Sequence, residues 1–453
     1  MRCFKTYDIR GRLGTDLDAG IMARIGRGFA RVMRARRVVL GHDARASSPD
    51  LAEALAGALV AEGCEVLELG LCGTEEVYFA TAHLQACGGL CVTASHNPIE
   101  DNGLKLVGRG AAPLDPEGEL AAIRRLVEAD AFGPGQRDGA RRRVAAEARA
   151  AYVERILSFV AIDELRPLRI LVNAGNGAAG PTFDAIAAAL AGRGAPLTFE
   201  RMNHAPDPSF PNGIPNPLLE ANRAPTAAAT RALGADFAVA WDGDFDRCFL
   251  FDRAGCFVEG EYVVALLAEA FLARDPGATI VHDGRITWAV QDAVARHGGR
   301  AVQARTGHVF FKAALRATGA VYGGEMSAHH YFRDFACCDS GMIPWLLVAE
   351  LVSRTRRPLA DLVAELRAAH PSSGEINFRL PDPGAAITRV RAAHAGKALE
   401  IDESDGLGLS FEDWRFNLRS SNTEPVLRLN VETRGDPALL ARQVAALRGL
   451  IGG

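Results

Sequence analysis

Three aspartates alternate across one short loop. Asp242, Asp244 and Asp246 stand in FAVAWDGDFDRCFLFD, between two apolar runs that read as strands, and Gly243 lets the loop turn. Carboxylates this close repel one another, by about 4 kcal/mol per pair at about 4 Å if the effective dielectric is about 20. A divalent cation removes the conflict. Oxygen ligands suit magnesium, whose octahedral shell keeps room for a phosphate oxygen or water. The loop lacks the downstream glutamate of an EF-hand, which argues against calcium. Arg247, directly after the third aspartate, brings a cation beside any anion the metal holds. The competing reading is a bare acidic hairpin turn.

A second stretch, CVTASHNPIEDNGLKL (residues 91–106), leaves an apolar run and turns abruptly polar, with Ser95, His96 and Lys105 on one irregular segment. It is either an ordinary strand exit or a serine meant to be reached chemically. In YGGEMSAHHYF, Glu325 and Ser327 can accept from and donate to sugar hydroxyls, and glycines let the backbone come close. His329 reads as functional there and His330 as structural, and the pair lacks the spacing of a zinc site. RSSNTEPVLRL offers Arg419, Ser421, Asn422, Thr423 and Arg428, by inventory a phosphate cradle, although such loops are also common turns. FKTYDIRG adds Lys5, Tyr7 and Arg10, and RTGHVF adds His308 on a loop.

Elements of one kind must position these residues. RRVVLGHDARASSPDLAEALAGALVAEGCEVLELG reads as strand, loop, helix, turn, strand, and the segments beginning at Leu168 and Ala278 repeat that order. The repeat is one of pattern, not of identity. Each unit implies parallel strands joined by a right-handed crossover, hence three α/β domains. After about Ala369 the pattern fails: HPSSGEINFRL reads as a turn-rich exit, DWRFNLRSSNTEPVLRLNVETRG as two strands around a loop, and a helix closes the chain. The expected domains are 1–150, 151–254, 255–368 and a smaller α+β domain at 369–453. A helix is expected to lead from the first domain to the second, with Arg141–Arg143 on its solvated face.

Bulk properties exclude some partners. A 453-residue chain exceeds one compact core, and its formal charge of −4 argues against a general nucleic-acid binder. The nine cysteines form no C-x-x-C pair, and neither a signal sequence nor an apolar run of membrane-spanning length is evident, so a reducing cytoplasmic setting is expected, with no membrane partner.

Taken in order, TASHNP, DGDFDR, GEMSAHHYF and RSSNTEP resemble the α-D-phosphohexomutase superfamily, and with FKTYDIRG, FPNGIPNPLL and CDSGMIPWLLVAEL the bacterial, enterobacterial-type phosphomannomutase/phosphoglucomutase group. The likeness covers essentially the whole chain. It implies four domains around a central cleft, three sharing a mixed α/β sandwich fold, with a smaller C-terminal α+β domain. It also implies a phosphorylated Ser95 with His96 beside it, and a magnesium site of Asp242, Asp244, Asp246 and the serine phosphate. Arg247, Lys105, Arg10 and Tyr7 would serve the transfer site. Glu325 and Ser327 would read the sugar's 3- and 4-hydroxyls with His308 and His329, and Arg419, Ser421, Asn422 and Thr423 would bind the non-reacting phosphate. Two departures stand out: Ala94 replaces a frequent glycine, and Arg285 stands where some relatives carry lysine, so a substrate contact by Arg285 is the least specific of these assignments.

The implied activity interconverts mannose 6-phosphate and mannose 1-phosphate through a hexose 1,6-bisphosphate that turns around between two anion sites, feeding GDP-mannose synthesis. Contacts at the 3- and 4-hydroxyls suit both orientations, because exchanging C1 with C6 approximately exchanges those groups. They read C2 weakly, and small differences discriminate by only ~1–3 kcal/mol, so phosphoglucomutase activity is a possible second function. The EMSAHHYF form is closer to mannose-type members than to phosphoglucosamine mutases. A magnesium-dependent phosphohydrolase would need the serine and metal but no distant phosphate cradle, and a non-catalytic sugar-phosphate binder would need neither. The residues leave a monomer or a homodimer equally open.

Overall fold

The computed structural model describes residues 1–135, 139–420 and 426–452. The chain forms two compact units, Met1–Phe257 with His329–Arg356, and Val258–Ala328 with Arg357–Gly453.

In the first unit, β1 (Ile9–Arg12), β2 (Arg37–His42), β3 (Glu65–Leu71), β4 (Gly88–Val92), β5 (Asp101–Gly108) and β6 (Ala140–Arg143) form a sheet of order β1-β5-β4-β2-β3-β6. The β2, β3, β4 and β6 strands are mutually parallel, while β5 runs antiparallel to both β4 and β1. Strands covered on both faces need apolar side chains on both, which is why RVVLGH and GGLCV read as near-continuous apolar runs. Val38 and Leu40 join one core, with Ile25, Phe29, Leu55 and Leu59 of the helices Ala19–Val32 and Ser48–Ala61. Val39, between them, joins the other, with Val77, Ala80 and Ala148 of Thr74–His83 and Ala145–Leu157.

The second sheet places β7 (Leu168–Asn173) between β8 (Leu197–Met202) and β9 (Phe237–Trp241), both parallel to it, and pairs β9 antiparallel with β10 (Cys248–Asp252). Trp241 lies opposite Cys248, so the three aspartates form the turn of a buried hairpin. Phe183, Phe199, Trp241 and Trp345 interlock over this sheet, seating the helix Met342–Thr355.

The second unit has Thr279–Asp283 between two parallel neighbours, Arg300–Ala304 and Tyr322–Gly324. Its C-terminal part is an antiparallel sheet, in order Ser372–Phe378, Leu427–Thr433, Trp414–Ser420, Leu407–Ser410 and Glu400–Asp402, with an apolar core that includes Val390 and Leu447 of the helices Pro383–His394 and Pro437–Gly452. The buried Arg415–Glu432 pair fastens this sheet to the α/β part: Glu432 accepts from the Thr287 and Trp288 amides that open the helix Trp288–Arg296, and Arg415 donates to the Gly284 and Arg285 carbonyls.

The three strand–helix–strand units stand where the pattern placed them. Two local expectations outside the candidate site fail. Arg141–Arg143 are not on a helix; they form the exposed edge strand β6, where Arg141 pairs with Glu53 and Glu68, and the helix starts only at Ala145. A row of arginines suits an edge that must not recruit another strand. The stretch Ser372–Phe378 is a strand, not a turn-rich exit, because its Ser-Gly segment is absorbed in a register shift between Ser372 and Glu375. All nine cysteines are free thiols, and among the described residues no helix is long and apolar enough to cross a membrane.

Glu75 ties the first unit together. Its buried carboxyl accepts from the Tyr152 hydroxyl and from the Gly341 amide at 2.5 Å, joining the helices Thr74–His83, Ala145–Leu157 and Met342–Thr355. Burial pushes its pKa up to about 8, from 4.5 for an ordinary glutamate. A carboxyl raised by folding binds a proton in the native state that the unfolded chain releases, so its contribution is full below the unfolded value and drains away as pH rises toward the folded one. Glu75's own contribution to stability therefore falls between about pH 5 and pH 8, and in denaturant melts recorded across the range Glu75→Gln loses stability with rising pH less steeply than the unmodified protein; an unchanged difference between the two at every pH would remove Glu75 as a source of pH dependence.

Candidate active site

Ser95 lies on the loop between β4 and β5, buried, with φ +50°, a left-handed conformation that side chains avoid unless the surroundings impose it. Its amide donates to Thr93 Oγ1 at 2.8 Å. The hydroxyl donates to Asp242 Oδ2 at 2.7 Å, and His96 Nδ1 lies 3.0 Å from Ser95 Oγ. Gly243 is required here: a Cβ on it would sit 2.7 Å from the Ser95 carbonyl oxygen. Behind it, the Ala178 amide donates to the Gly243 carbonyl at 3.0 Å.

Each aspartate of the hairpin accepts hydrogen bonds through Oδ2. Asp242 Oδ2 accepts from Ser95, Asp244 Oδ2 from Thr74 Oγ1 at 2.6 Å and Lys105 Nζ at 2.7 Å, and Asp246 Oδ2 from Lys105 Nζ. The three Oδ1 atoms are buried and accept no hydrogen bond among the described residues. The three side chains offer ligand atoms within 4.8 Å of one another. A buried carboxylate oxygen without a donor costs on the order of 1–3 kcal/mol, more when charged, so this donor set fits a hard divalent cation.

The charges are mutually dependent. Burial disfavours charge on Lys105, but Asp244 and Asp246 outweigh it and hold the ammonium above its ordinary pKa. For Asp246 burial opposes ionisation, and Lys105 and His329 outweigh it, keeping the carboxyl well below the usual range. Asp242 is raised, by burial and then by Asp246. Burial, with Arg247 and Arg10 nearby, drives His96 well below an ordinary histidine, so its ring is neutral at pH 7. Arg10 bridges Asp8 at 2.8 Å and Asn97 at 2.7 Å, which fixes it against the Ser95 loop. Tyr7, two residues before β1, is half-buried.

His329 belongs to this group. Its Nε2 lies 3.5 Å from Asp246 Oδ1 and 3.3 Å from Arg247 Nε, in the first unit, whereas Glu325 and Ser327, with which it was grouped, lie in the second. Thr74 escaped the sequence reading. It follows a helix-capping glycine at a point where a Cβ would strike the Phe245 ring at 2.2 Å, and nothing in its own segment points to the aspartates 170 residues away.

In the second unit, Arg285 is buried, with Nη2 2.6 Å from Asp283 Oδ2, 3.4 Å from Ser327 Oγ and 3.5 Å from Glu325 Oε1. Burial disfavours its charge, but Asp283, Glu325 and Glu375 outweigh that and keep the guanidinium charged. Glu325 also accepts from the Gly307 amide at 3.0 Å. His308 opens the helix His308–Thr318 instead of lying on a loop, because Gly307, at φ +125°, turns the chain into it. Glu375, unnoticed in the sequence because its strand was read as a turn, lies 3.4 Å from Arg419, 3.5 Å from Arg428 and 3.9 Å from Arg285. Ser421, Asn422 and Thr423 lie outside the described residues.

Four family profiles match along the chain: phosphoglucomutase/phosphomannomutase alpha/beta/alpha domain I at residues 1–133, domain II at 150–255, domain III at 259–369, and the C-terminal domain at 375–450. A phosphomannomutase of Salmonella typhimurium is 53% identical over 453 residues, spanning 100% of this chain and 99% of the relative. A Xanthomonas campestris protein described as phosphohexose mutases is 53% identical over 450 residues, spanning 99% of each. A solved phosphoglucomutase/phosphomannomutase family protein of Burkholderia thailandensis superposes with a TM-score of 0.87 at 34% identity, covering 100% of this chain and 98% of that one.

The hairpin makes a cation-binding prediction independent of any reaction. In calorimetric titrations with magnesium or manganese, Asp244→Asn binds at least about tenfold more weakly, since one carboxylate charge interacting at close range is worth more than about 1.4 kcal/mol. Lys105→Met, which removes a competing cation, binds as tightly as the unmodified protein or more tightly. A weakened Lys105→Met would show that the lysine helps to hold the ion.

Proposed function

The chain belongs to the phosphoglucomutase/phosphomannomutase family, and on that premise we propose that it interconverts mannose 6-phosphate and mannose 1-phosphate through a phosphoserine at Ser95 and a hexose 1,6-bisphosphate, supplying GDP-mannose synthesis. The observation that carries the reading is Ser95 Oγ bonded to a carboxylate of a buried three-aspartate turn whose Oδ1 atoms accept no hydrogen bond among the described residues. Asp242, Asp244, Asp246 and an oxygen of the Ser95 phosphate would hold magnesium, which when bound withdraws charge from the phosphoryl group.

This chain's residues then divide the work. Ser95 gives its phosphoryl group to one sugar hydroxyl and takes back the one at the other end. His96, neutral and 3.0 Å from Oγ, holds the serine oxygen without adding charge. Lys105 balances Asp244 and Asp246 and stays protonated, so it stabilises charge at the transfer site. Arg10, fixed against the Ser95 loop, and Arg247, which donates to His329, would meet the transferred group, with Tyr7 as a substrate contact from the segment before β1. Glu325 and Ser327, fixed by Arg285, read hydroxyls common to both sugar orientations, with His308 at the adjoining helix start. Arg419, Arg428 and the loop residues Ser421, Asn422 and Thr423 take the non-reacting phosphate.

No assigned group reads C2 strongly, and the matching family profiles are described as phosphoglucomutase/phosphomannomutase, which supports glucose phosphates as second substrates. The arginine cluster around Glu375 favours a mutase over a phosphohydrolase, which has no use for a second anion site.

Intact-protein mass spectrometry with a mannose 1-phosphate assay tests this. With magnesium and a bisphosphate primer, the protein gains one phosphoryl group at Ser95 and turns over; Ser95→Ala gains none and loses at least about three orders of magnitude in kcat. Steady release of inorganic phosphate in place of isomerised sugar phosphate would mark a phosphohydrolase instead.

A further inference from the structure

Outside the groups assigned so far, Arg45 is a buried side chain that bonds the Ser95 loop directly. It is 2% exposed and touches no open surface. Nη2 donates to the carbonyls of Ser95 at 3.0 Å and Asn97 at 2.6 Å, and Nη1 to those of Pro98 at 2.8 Å and Asp101 at 3.0 Å. One planar fork therefore collects four main-chain oxygens of the loop that presents Ser95. Arg45 is set in turn by Asp43, whose Oδ1 accepts from the Arg45 amide at 3.0 Å and from Ser48 Oγ at 2.5 Å, and whose Oδ2 lies 3.5 Å from Arg45 Nε.

The same device recurs in the second unit. His42-Asp43-Ala44-Arg45 ends β2, and His282-Asp283-Gly284-Arg285 ends the strand Thr279–Asp283. Each histidine Nδ1 contacts the carbonyl of the following aspartate, at 2.9 Å in the first turn and 2.7 Å in the second. The Arg285 amide donates to Asp283 Oδ1 at 2.9 Å, as the Arg45 amide does to Asp43. In each case the parent strand has parallel neighbours on both sides, and the arginine reaches the loop after one of them: the loop after β4 for Arg45, the loop after Tyr322–Gly324 for Arg285. Asp283 Oδ2 also accepts from the Met326 amide at 2.9 Å, between Glu325 and Ser327.

We propose that this His-Asp-x-Arg turn is a positioning element built twice, Arg45 holding the backbone that presents Ser95 and Arg285 with Asp283 holding the loop that presents Glu325 and Ser327. The imposed left-handed φ of Ser95 gives Arg45 something to hold: four charge-assisted bonds to its loop oppose relaxation of a residue that would otherwise turn its hydroxyl away from Asp242. A lysine at 45 has the charge but no planar fork, and cannot serve four carbonyls at once.

The inference rests on the phosphoryl-transfer reading for its kinetic consequence but not for its structural one, so both are measured on the full chain. For Arg45→Lys, amide hydrogen exchange speeds up in residues 95–103 and not in 325–330. Phosphorylation of Ser95 by a hexose bisphosphate slows at least tenfold, and KM for mannose 1-phosphate stays within twofold. For Arg285→Gln the pattern reverses: exchange rises in 325–330, KM rises at least fivefold, and Ser95 phosphorylation at saturating bisphosphate slows less than in Arg45→Lys. Exchange in 95–103 unchanged by Arg45→Lys, or raised evenly across the molecule, would overturn the proposal whatever the kinetics. Equal loss of the same kinetic parameter in both variants would overturn the division between the two copies. Unmodified protein that never takes phosphate at Ser95 would instead overturn the functional reading, leaving the exchange pattern to decide this one.

Discussion

Everything in the first unit is arranged around three carboxylates that should not be buried together. Asp242, Asp244 and Asp246 lie in the turn of a hairpin whose strands are sealed on both faces, where water cannot screen them. Lys105 answers part of that charge by bonding two of the three, while Arg247 lies 3.7 Å from Asp242. Among the described residues none of the three Oδ1 atoms accepts a hydrogen bond, and His329 Nε2 stands 3.5 Å from that of Asp246. A site that keeps excess negative charge at a cost in stability is built for a cation, and the remaining positive groups are placed to receive the anion that the cation attracts.

That constraint explains why so much of the fold converges on two short loops. Thr74, at the start of one helix, holds Asp244; the Ala178 amide, at the start of another, holds Gly243; Glu75, next to Thr74, fastens the first residues of a third. Helix N-termini carry partial positive charge, so they are the ends that an acidic turn tolerates as neighbours. In the second unit the same logic runs with the sign inverted: Arg285, Arg419 and Arg428 gather around Glu375, and Arg419, buried with other guanidinium groups nearby, is held below its ordinary pKa, burial first and Arg285 next. A cluster of cations held by one carboxylate is ready to exchange that carboxylate for a phosphate.

Much of this was legible in the chain. Strand–helix–strand periodicity marked three α/β units because strands covered on both faces must be apolar throughout, and residue types made candidates of Ser95, the aspartates, Lys105, Glu325, Arg247, Arg419 and Arg428, whereas Arg285 entered only through the family resemblance. What stayed hidden has a common cause: groups that act through the backbone leave no mark in their own segment. Arg45 lies in an unremarked loop because its partners are carbonyls, which every residue has. Thr74 and Glu375 are single polar residues whose partners lie far off in sequence, and Glu375 was masked further by a bulge that imitates a turn. The repeat was read as one of pattern alone, yet His-Asp-x-Arg recurs by identity at residues 42–45 and 282–285, and it is in those residues that the two copies share a function. Arg141–Arg143 misled for the opposite reason, since a solvated charge run is equally at home on a helix face and on an edge strand.

The central claim is that the phosphate leaving on the product comes from Ser95, delivered from the carboxylate turn. A single turnover decides it: protein carrying ³²P on Ser95 is mixed with unlabelled mannose 6-phosphate and magnesium, and protein and sugar are separated at successive times. The label should leave the protein as mannose 1-phosphate forms, passing through a doubly phosphorylated sugar, while unlabelled phosphate takes its place on Ser95. Product that accumulates while the label stays on the protein, or label that appears as inorganic phosphate, would contradict the account.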